Sequence, residues 1–390
     1  MAKNTKTTSF NLGWVFISNE ERRKTAEVLA KLSGQEAVDE LGIGRIRDYF
    51  SEKLFPGFST AQKRVKYFIL IPKAIINVLK SSNKPSTRRG VQDALNKEEW
   101  DFVEKFIKYD KTDEKKGIIG LRNYQNGKKG MDTYPSELYW SGLVMTGIVT
   151  NKQSSLSDVC TQIADYNHEK IKSDYDNNEL RSISSLLHLD SNVCNLEWDP
   201  NSIALNKEEA KYLSRLFIEG KNTSKSLTAY FLKTGKIPNG DKTFFDIDPS
   251  NLKKFDRDLA KIYQNAIDFS NFIWGAYLAY NYLLTKKENF LTEFKNWKKS
   301  KDSSFDIKKL NDIPNAEDAK KFVSEFQKSV NTANIKKVFV CVIRREAQKK
   351  PGKTKLDKKH KSKKPVHNFK LDYRFGVARD ACNDIINGMK

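Results

Sequence analysis

The run 248–284 constrains the fold more than any other part of the chain. Asp248 is a helix-capping residue type, and Pro249 suits a first helical position. From there Leu259, Tyr263, Ile267 and Trp274 recur at helical spacing. The run ends in FSNFIWGAYLAYNYLL, residues 269–284. These 16 residues include Asn271 and Asn281, and a bilayer-spanning helix needs about 20 apolar ones. The stretch therefore reads as a core helix, and no membrane span is expected.

Most of the chain carries the punctuation of further helices. In SNEERRKTAEVLAKLSG, Ser18 and Glu21 have capping-box spacing and Gly34 suits the C-terminal cap. IRDYFSEKLF is amphipathic and stops before Pro56, and residues 86–110 read as one helix or a broken pair. PSELYWSGLVMTGI restarts a helix, and in LNKEEAKYLSRLFIEG Asn206 caps while Glu209 closes the box. KTDEKKGIIGLRNYQNGKKGMDTYP and TGKIPNGDKTFFDIDPS read as loops. Near the C-terminus, IKKVFVCVIRRE (335–346) is rich in β-branched residues and reads as a strand, and HNFKLDYRFGV (367–377) as a second. ARDACNDIING then closes the chain as a short helix ending at Gly388.

The expected class is mainly α (α+β): a multi-helix body with a small C-terminal β-hairpin or sheet carrying a Lys-rich loop. The expected organisation is an N-terminal helical domain over 1–110 with the GIGRIRD and FPGFST segments and a linker-like segment over 111–135. A second helical domain over 136–330 and a C-terminal hairpin plus helix over 331–390 follow.

Charge bears on partners. Lys and Arg number 70 against 49 Asp and Glu, a formal +21. With 23 Phe, 15 Tyr and 6 Trp the chain has the aromatic content of a folded protein. A strongly basic folded protein points first to a polyanion, and nucleic acid is the commonest, DNA ahead of RNA. Residues 344–364 hold 11 Lys and Arg against two acids. They read either as a solvated loop or as a basic hairpin tip lying along phosphates, with Arg344, Arg345, Lys349, Lys350, Lys358, Lys359, Lys361, Lys363 and Lys364 as candidate contacts. The loop lacks aromatics, which argues against base stacking within it.

A second candidate lies in LFPGFSTAQKRVKYFILIP, residues 54–72. Ser59 and Gln62 fit a capping box for a helix starting near Thr60, with Ala61, Val65, Phe68, Ile69 and Pro72 on one face and Pro72 ending that helix or beginning the next. A helix start there could equally hold an anion, with Ser59, Thr60, Lys63 and Arg64 as contacts. The spacing is not that of a nucleotide-binding P-loop. Upstream, DELGIGRIRDYF repeats the ambiguity: Arg45 and Arg47 could face phosphate or pair with Asp48 and Glu52.

Catalytic patterns are scarce. His168, His188, His360 and His367 fall in no metallohydrolase or phospholipase D-type motif, and no nucleophile elbow is present. Asp246 and Asp248 in FFDIDPS could hold a metal, but capping is the simpler role for Asp248. Cys160, Cys194, Cys341 and Cys382 have neither zinc nor redox-motif spacing. They suit reduced thiols, and residues 1–14 lack the apolar run of a secretory signal, so a cytoplasmic location is expected. No catalytic residue, metal or cofactor is assigned.

The order of several segments resembles a bacterial family catalogued as domain of unknown function 6361. The segments are GWVFISNEERRK, DELGIGRIRDYFSEKLFPGFSTAQKRVKYFILIP, GIIGLRNYQNGKKG, PSELYWSGLVMTGI, LNKEEAKYLSRLF and LDYRFGVARD. The resemblance implies a setting beside helicases and nucleases in bacterial defence clusters and carries over no catalytic residue. The Lys-rich insert looks specific to this member. The expected function is thus a non-enzymatic nucleic-acid-binding component of an anti-phage defence or DNA-processing assembly. Alternatives are an adaptor for a partner helicase or nuclease, and a nuclease with an unrecognised acidic site.

Overall fold

The computed structural model describes residues 39–109, 117–152, 154–172, 184–356, 364–367 and 369–390; the helix expected over 18–34 lies outside them. In chain order its helices are α1 (Gly44–Leu54), α2 (Tyr67–Lys80), α3 (Arg88–Tyr109), α4 (Leu121–Gln125) and α5 (Pro135–Thr146). Next come α6 (Leu156–Lys172), α7 (Ser191–Asn195), α8 (Lys207–Glu219), α9 (Leu227–Thr234) and α10 (Pro249–Phe255). The last are α11 (Arg257–Thr285), α12 (Glu288–Lys299), α13 (Glu317–Val330), α14 (Ile335–Lys349) and α15 (Phe375–Met389). The chain divides into two compact units that do not follow chain order. One contains Ala61–Tyr212 and Gly388–Lys390; the other contains the described residues up to Thr60 and Leu213–Asn387.

The Ala61–Tyr212 unit is organised by α2, which is buried on nearly every side and packs on α3, α5 and α7. The expected helix start at Thr60 is corrected. Residues 61–66 form turns, the helix begins at Tyr67, and Pro72 lies inside it rather than at its end. The backbone here is satisfied by tertiary partners. Lys63 donates its N–H to the Tyr139 hydroxyl (2.7 Å), which in turn donates to the Arg64 carbonyl (2.9 Å). Lys66 is fully buried and its ammonium reaches both oxygens of Glu209 at 2.8 Å. The capping box expected at Asn206 is formed, with Glu209 N–H on Asn206 Oδ1 and Asn206 N–H on Glu209 Oε2. Glu209 therefore closes a cap and an ion pair at once. The antiparallel bridge Val149–Leu189 is the strand-like pairing among the described residues.

The second unit is organised by α11, which packs on α1, α10, α12 and α14. The long apolar run is two helices rather than one. Asp248 caps α10 through Ser250 N–H (2.8 Å), and Asp256 then takes an extended conformation and caps α11 through Leu259 N–H (2.8 Å). Phe269, Phe272, Tyr277 and Tyr280 of α11 are in the core, as a central helix of this length requires. Gly275 faces the Trp297 ring, which a side chain there would displace.

The expected C-terminal hairpin is not formed. Residues 335–346 belong to α14, started by Asn334, whose side chain accepts the Lys336 N–H (3.0 Å). The buried positions Val338, Val342, Arg345 and Glu346 follow helical spacing, so periodicity overrides β propensity. Residues 369–374 are irregular: Tyr373 and Arg374 take positive φ (55° and 75°), which no strand accommodates. Tyr373 is held there by its hydroxyl on the Ala266 carbonyl (2.7 Å), and Arg374 by its bond to the Phe58 carbonyl (2.6 Å). The chain then enters α15. The fold class is all-helical over the described residues.

Candidate functional site

Helices α13 and α14 pack on each other across a short turn. Their inner faces are Phe322, Val323 and Phe326 on α13, and Val338 and Val342 on α14. On the outer side lies an open groove of about 510 Å³. Lys328 and Ser329 enter its wall from α13, and Lys336, Lys337, Cys341 and Arg344 from α14. Glu325 is the one acid among its lining residues. Val340 in the groove and Ile343 beside it are 52% and 44% exposed. Burial pushes the Cys341 thiol above its ordinary range and Glu325 adds to the effect, so the groove presents a neutral thiol rather than a nucleophile.

The structure separates the sequence-predicted contacts. Arg344 is exposed on the groove. Its neighbour Arg345 is 4% exposed and turned inward. Its guanidinium donates to the carbonyls of Leu41 (2.7 Å) and Gly42 (3.1 Å), grips Asp318 with a fork at 2.8 and 2.9 Å, and lies over the Phe322 ring. Lys349 pairs with the same Asp318. The Arg345 bonds hold the Asp318 carboxyl well below the usual range, with Lys349 assisting. Lys350 is buried against Glu40 at 3.0 Å, and Lys355 reaches the same oxygen at 2.9 Å. Burial pushes the Glu40 carboxyl up, but these two ammonium groups outweigh it, and the net displacement is downward. Buried Glu346 accepts the N–H groups of Lys355 (2.8 Å) and Leu356 (3.0 Å) and the Tyr280 hydroxyl (2.5 Å). The Lys-rich segment thus leaves from a fixed base. Lys358, Lys359, Lys361 and Lys363 lie outside the described residues, and Lys364 is exposed.

Arg45 is exposed on α1, whereas Arg47 is half-buried and shares its guanidinium with Asp48 at 3.2 Å. Gly42 has φ +62°, and a side chain there would collide with Lys349 and Arg345. The GIG sequence is thus a close approach of backbone to those two side chains. Ser59 is half-buried and Thr60 exposed in this unit. In the Ala61–Tyr212 unit Lys63 is exposed, and the Arg64 stem packs on Gly117, whose φ is +92°.

The acids do not converge on a metal. Asp246 accepts from Thr243, Asp248 is a cap, and among the described residues no three His, Cys, Asp or Glu side chains are placed to hold an ion. Lys328, Lys336 and Lys337 were not expected at a site. Their signal was the helical phase of Lys336, Lys337 and Arg344, which a strand reading of 335–346 conceals.

The family of unknown function DUF6361 matches residues 9–315. The chain belongs to this family. No curated protein and no solved structure matches it. The DUF6361 match ends just before α13, so the groove lies C-terminal to it, whereas Lys63, Arg64 and the glycine-rich segment around Gly117 lie inside. Among the described residues of this DUF6361 chain, no helix is long and apolar enough to cross a membrane.

Proposed function

We propose that this DUF6361 protein binds nucleic acid through the phosphate backbone, without cleaving it, and that the α13–α14 groove is a principal contact. The observation that carries this is the gathering of Lys328, Lys336, Lys337 and Arg344 on one open groove with a single acid. No aromatic ring lines the groove, so its mode is phosphate contact rather than base stacking. Lys336 and Arg344 are eight residues apart on α14, about 12 Å along the axis. With Lys328 and Lys337 the groove presents four cations, so it contacts about three and at most about four phosphates.

Binding of a DNA duplex should therefore weaken with salt, the log–log slope carrying about −3 from the groove. Changing Lys328, Lys336, Lys337 and Arg344 together to Gln should remove that part of the slope and leave the melting temperature nearly unchanged. Duplex binding that survives the fourfold change with its salt slope intact would take the function away from this groove. A second reading draws on exposed Val340 and Ile343, which suit an adaptor surface for a partner helicase or nuclease. It predicts that the groove variant loses a protein partner while keeping nucleic acid.

A further inference from the structure

The segment GIIGLRNYQNGKKG (117–130) is not absorbed by the groove. Residues 118–131 contain Arg122, Lys128 and Lys129 and no Asp or Glu. All three cations are exposed, and so is Tyr124, at 40%. An exposed aromatic among cations, on a stretch free of acids, differs from the scattered lysines elsewhere on the surface.

The segment is also built to hold its shape. Asn123 donates its side-chain amide to the Gly130 carbonyl (3.0 Å), and its own carbonyl accepts the Lys128 N–H (3.0 Å). The Gly127 N–H returns to the Tyr124 carbonyl (2.9 Å). Gly120, Gly127 and Gly130 all have positive φ, which lets so short a segment close on itself. Its base is tied down where the Ile119 N–H meets the Tyr67 hydroxyl (2.8 Å), and exposed Lys63 packs beside Gly117. Against Tyr124 lies Trp100 of α3, 8% exposed, with ring centroids 6.2 Å apart and ring planes tilted by 38°. The Trp100 indole N–H is fixed on Glu104 (2.8 Å). Tyr124 is thus a ring that leans at a tilt on a fixed indole and leaves substantial surface to solvent.

The geometry points to a stacking platform for an unpaired base. Tyr124 takes the base, and Arg122, Lys128 and Lys129 of the same closed segment, with Lys63 beside its Gly117 end, supply phosphate-binding charge. The ligand class is a single-stranded nucleic acid, because paired bases do not present their faces for stacking. This deepens the nucleic-acid reading and rests on it. It adds a non-ionic contact within the DUF6361-matched residues and a preference for unpaired strands that the groove does not supply.

The test measures fluorescence anisotropy of labelled oligo-dT and oligo-rU of about 20 nucleotides, and of a DNA duplex of similar length, at low salt. Tyr124→Ala, Tyr124→Phe and the fourfold groove variant are compared with the wild type. Tyr124→Ala should weaken binding of both single strands by at least about fivefold, the low end for removing a stacked ring. It should leave duplex binding and the salt slope unchanged, since stacking releases no counterions. Tyr124→Phe should bind as the wild type, because the ring and not the hydroxyl does the stacking. The groove variant should weaken duplex and single strands alike. Single-strand binding untouched by Tyr124→Ala overturns the platform and leaves the groove standing. Tyr124-dependent single-strand binding with no groove-dependent duplex binding overturns the groove and leaves the platform. Absence of binding to all three probes overturns both.

Discussion

Replacing Glu99 with Gln should leave stability nearly unchanged below about pH 4.5 and stabilise the protein increasingly as the pH rises toward mild alkali. Glu99 lies on α3, fully buried, and accepts the Ser136 N–H (2.7 Å) and the Ser136 hydroxyl (3.0 Å) at the start of α5. Burial pushes its carboxyl from 4.5 up to about 8, against the pull of the two Ser136 donors. The folded state therefore holds the proton more tightly than the unfolded one. That contribution is fully present below pH 4.5 and is lost as the pH rises through about 8. At about 1.4 kcal/mol per pH unit the whole interval corresponds to about 5 kcal/mol. About 3 kcal/mol of it disappears between about pH 6 and pH 9. Gln is nearly isosteric, keeps an acceptor for the Ser136 N–H and cannot ionise. The consequence reaches the basic surface, because Tyr139, one turn further along α5, holds Lys63 and Arg64. Urea unfolding followed by circular dichroism across this pH range reads the effect. The wild-type midpoint should lie below that of Glu99→Gln throughout this range and fall further behind it toward alkali. Parallel pH profiles for the two proteins would refute the reasoning, because the difference between them isolates this carboxyl.

Two further predictions concern buried cations. Lys66→Met should cost about 3–5 kcal/mol in urea unfolding by stranding the Glu209 carboxylate, and adding Glu209→Gln should recover part of the loss. The adjacent arginines of α14 should behave oppositely. Arg345→Ala should lower the melting temperature markedly, costing about 1–3 kcal/mol through the Leu41 and Gly42 carbonyls it leaves without their donor, whereas Arg344→Ala should leave it within error and weaken nucleic-acid binding. Equal melting temperatures for the two variants would contradict the inward and outward assignment.

Local signals served the reading where the chain settles its own ends. The caps at Asn206 and Asp248 and the restart at Pro135 are formed by side chains within three residues of the backbone they satisfy. The failures came where distant partners decide. The turn over 61–66 depends on Tyr139, more than 70 positions away, and on Glu209, still further. Over 335–346 the β-branched content argued for a strand. The true period was hidden because two of the four buried positions, Arg345 and Glu346, are charged. A pattern of apolar residues alone cannot register a buried face made partly of ions whose partners, Asp318, Leu41 and Tyr280, come from elsewhere in the chain.

The same point governs how the net charge bears on function. A count treats every Lys and Arg as available to a polyanion, yet this chain spends a set of them internally. Lys66 serves Glu209, Lys73 caps the α7 end through the Cys194 and Leu196 carbonyls, Lys350 serves Glu40, and Arg345 joins α14 to Asp318 and to the Leu41–Gly42 turn. These cations are desolvated and fixed by protein partners, so a phosphate would have to displace those partners to reach them. Arg344, Lys336, Lys337 and Lys63 keep their charge on the surface, where phosphate contact costs little desolvation. Adjacent residues thus fall into opposite classes: Arg344 and Arg345 differ by one position and about 100° around a helix. That single step, and not the excess of basic residues, separates a cation that can bind a ligand from one that holds the fold.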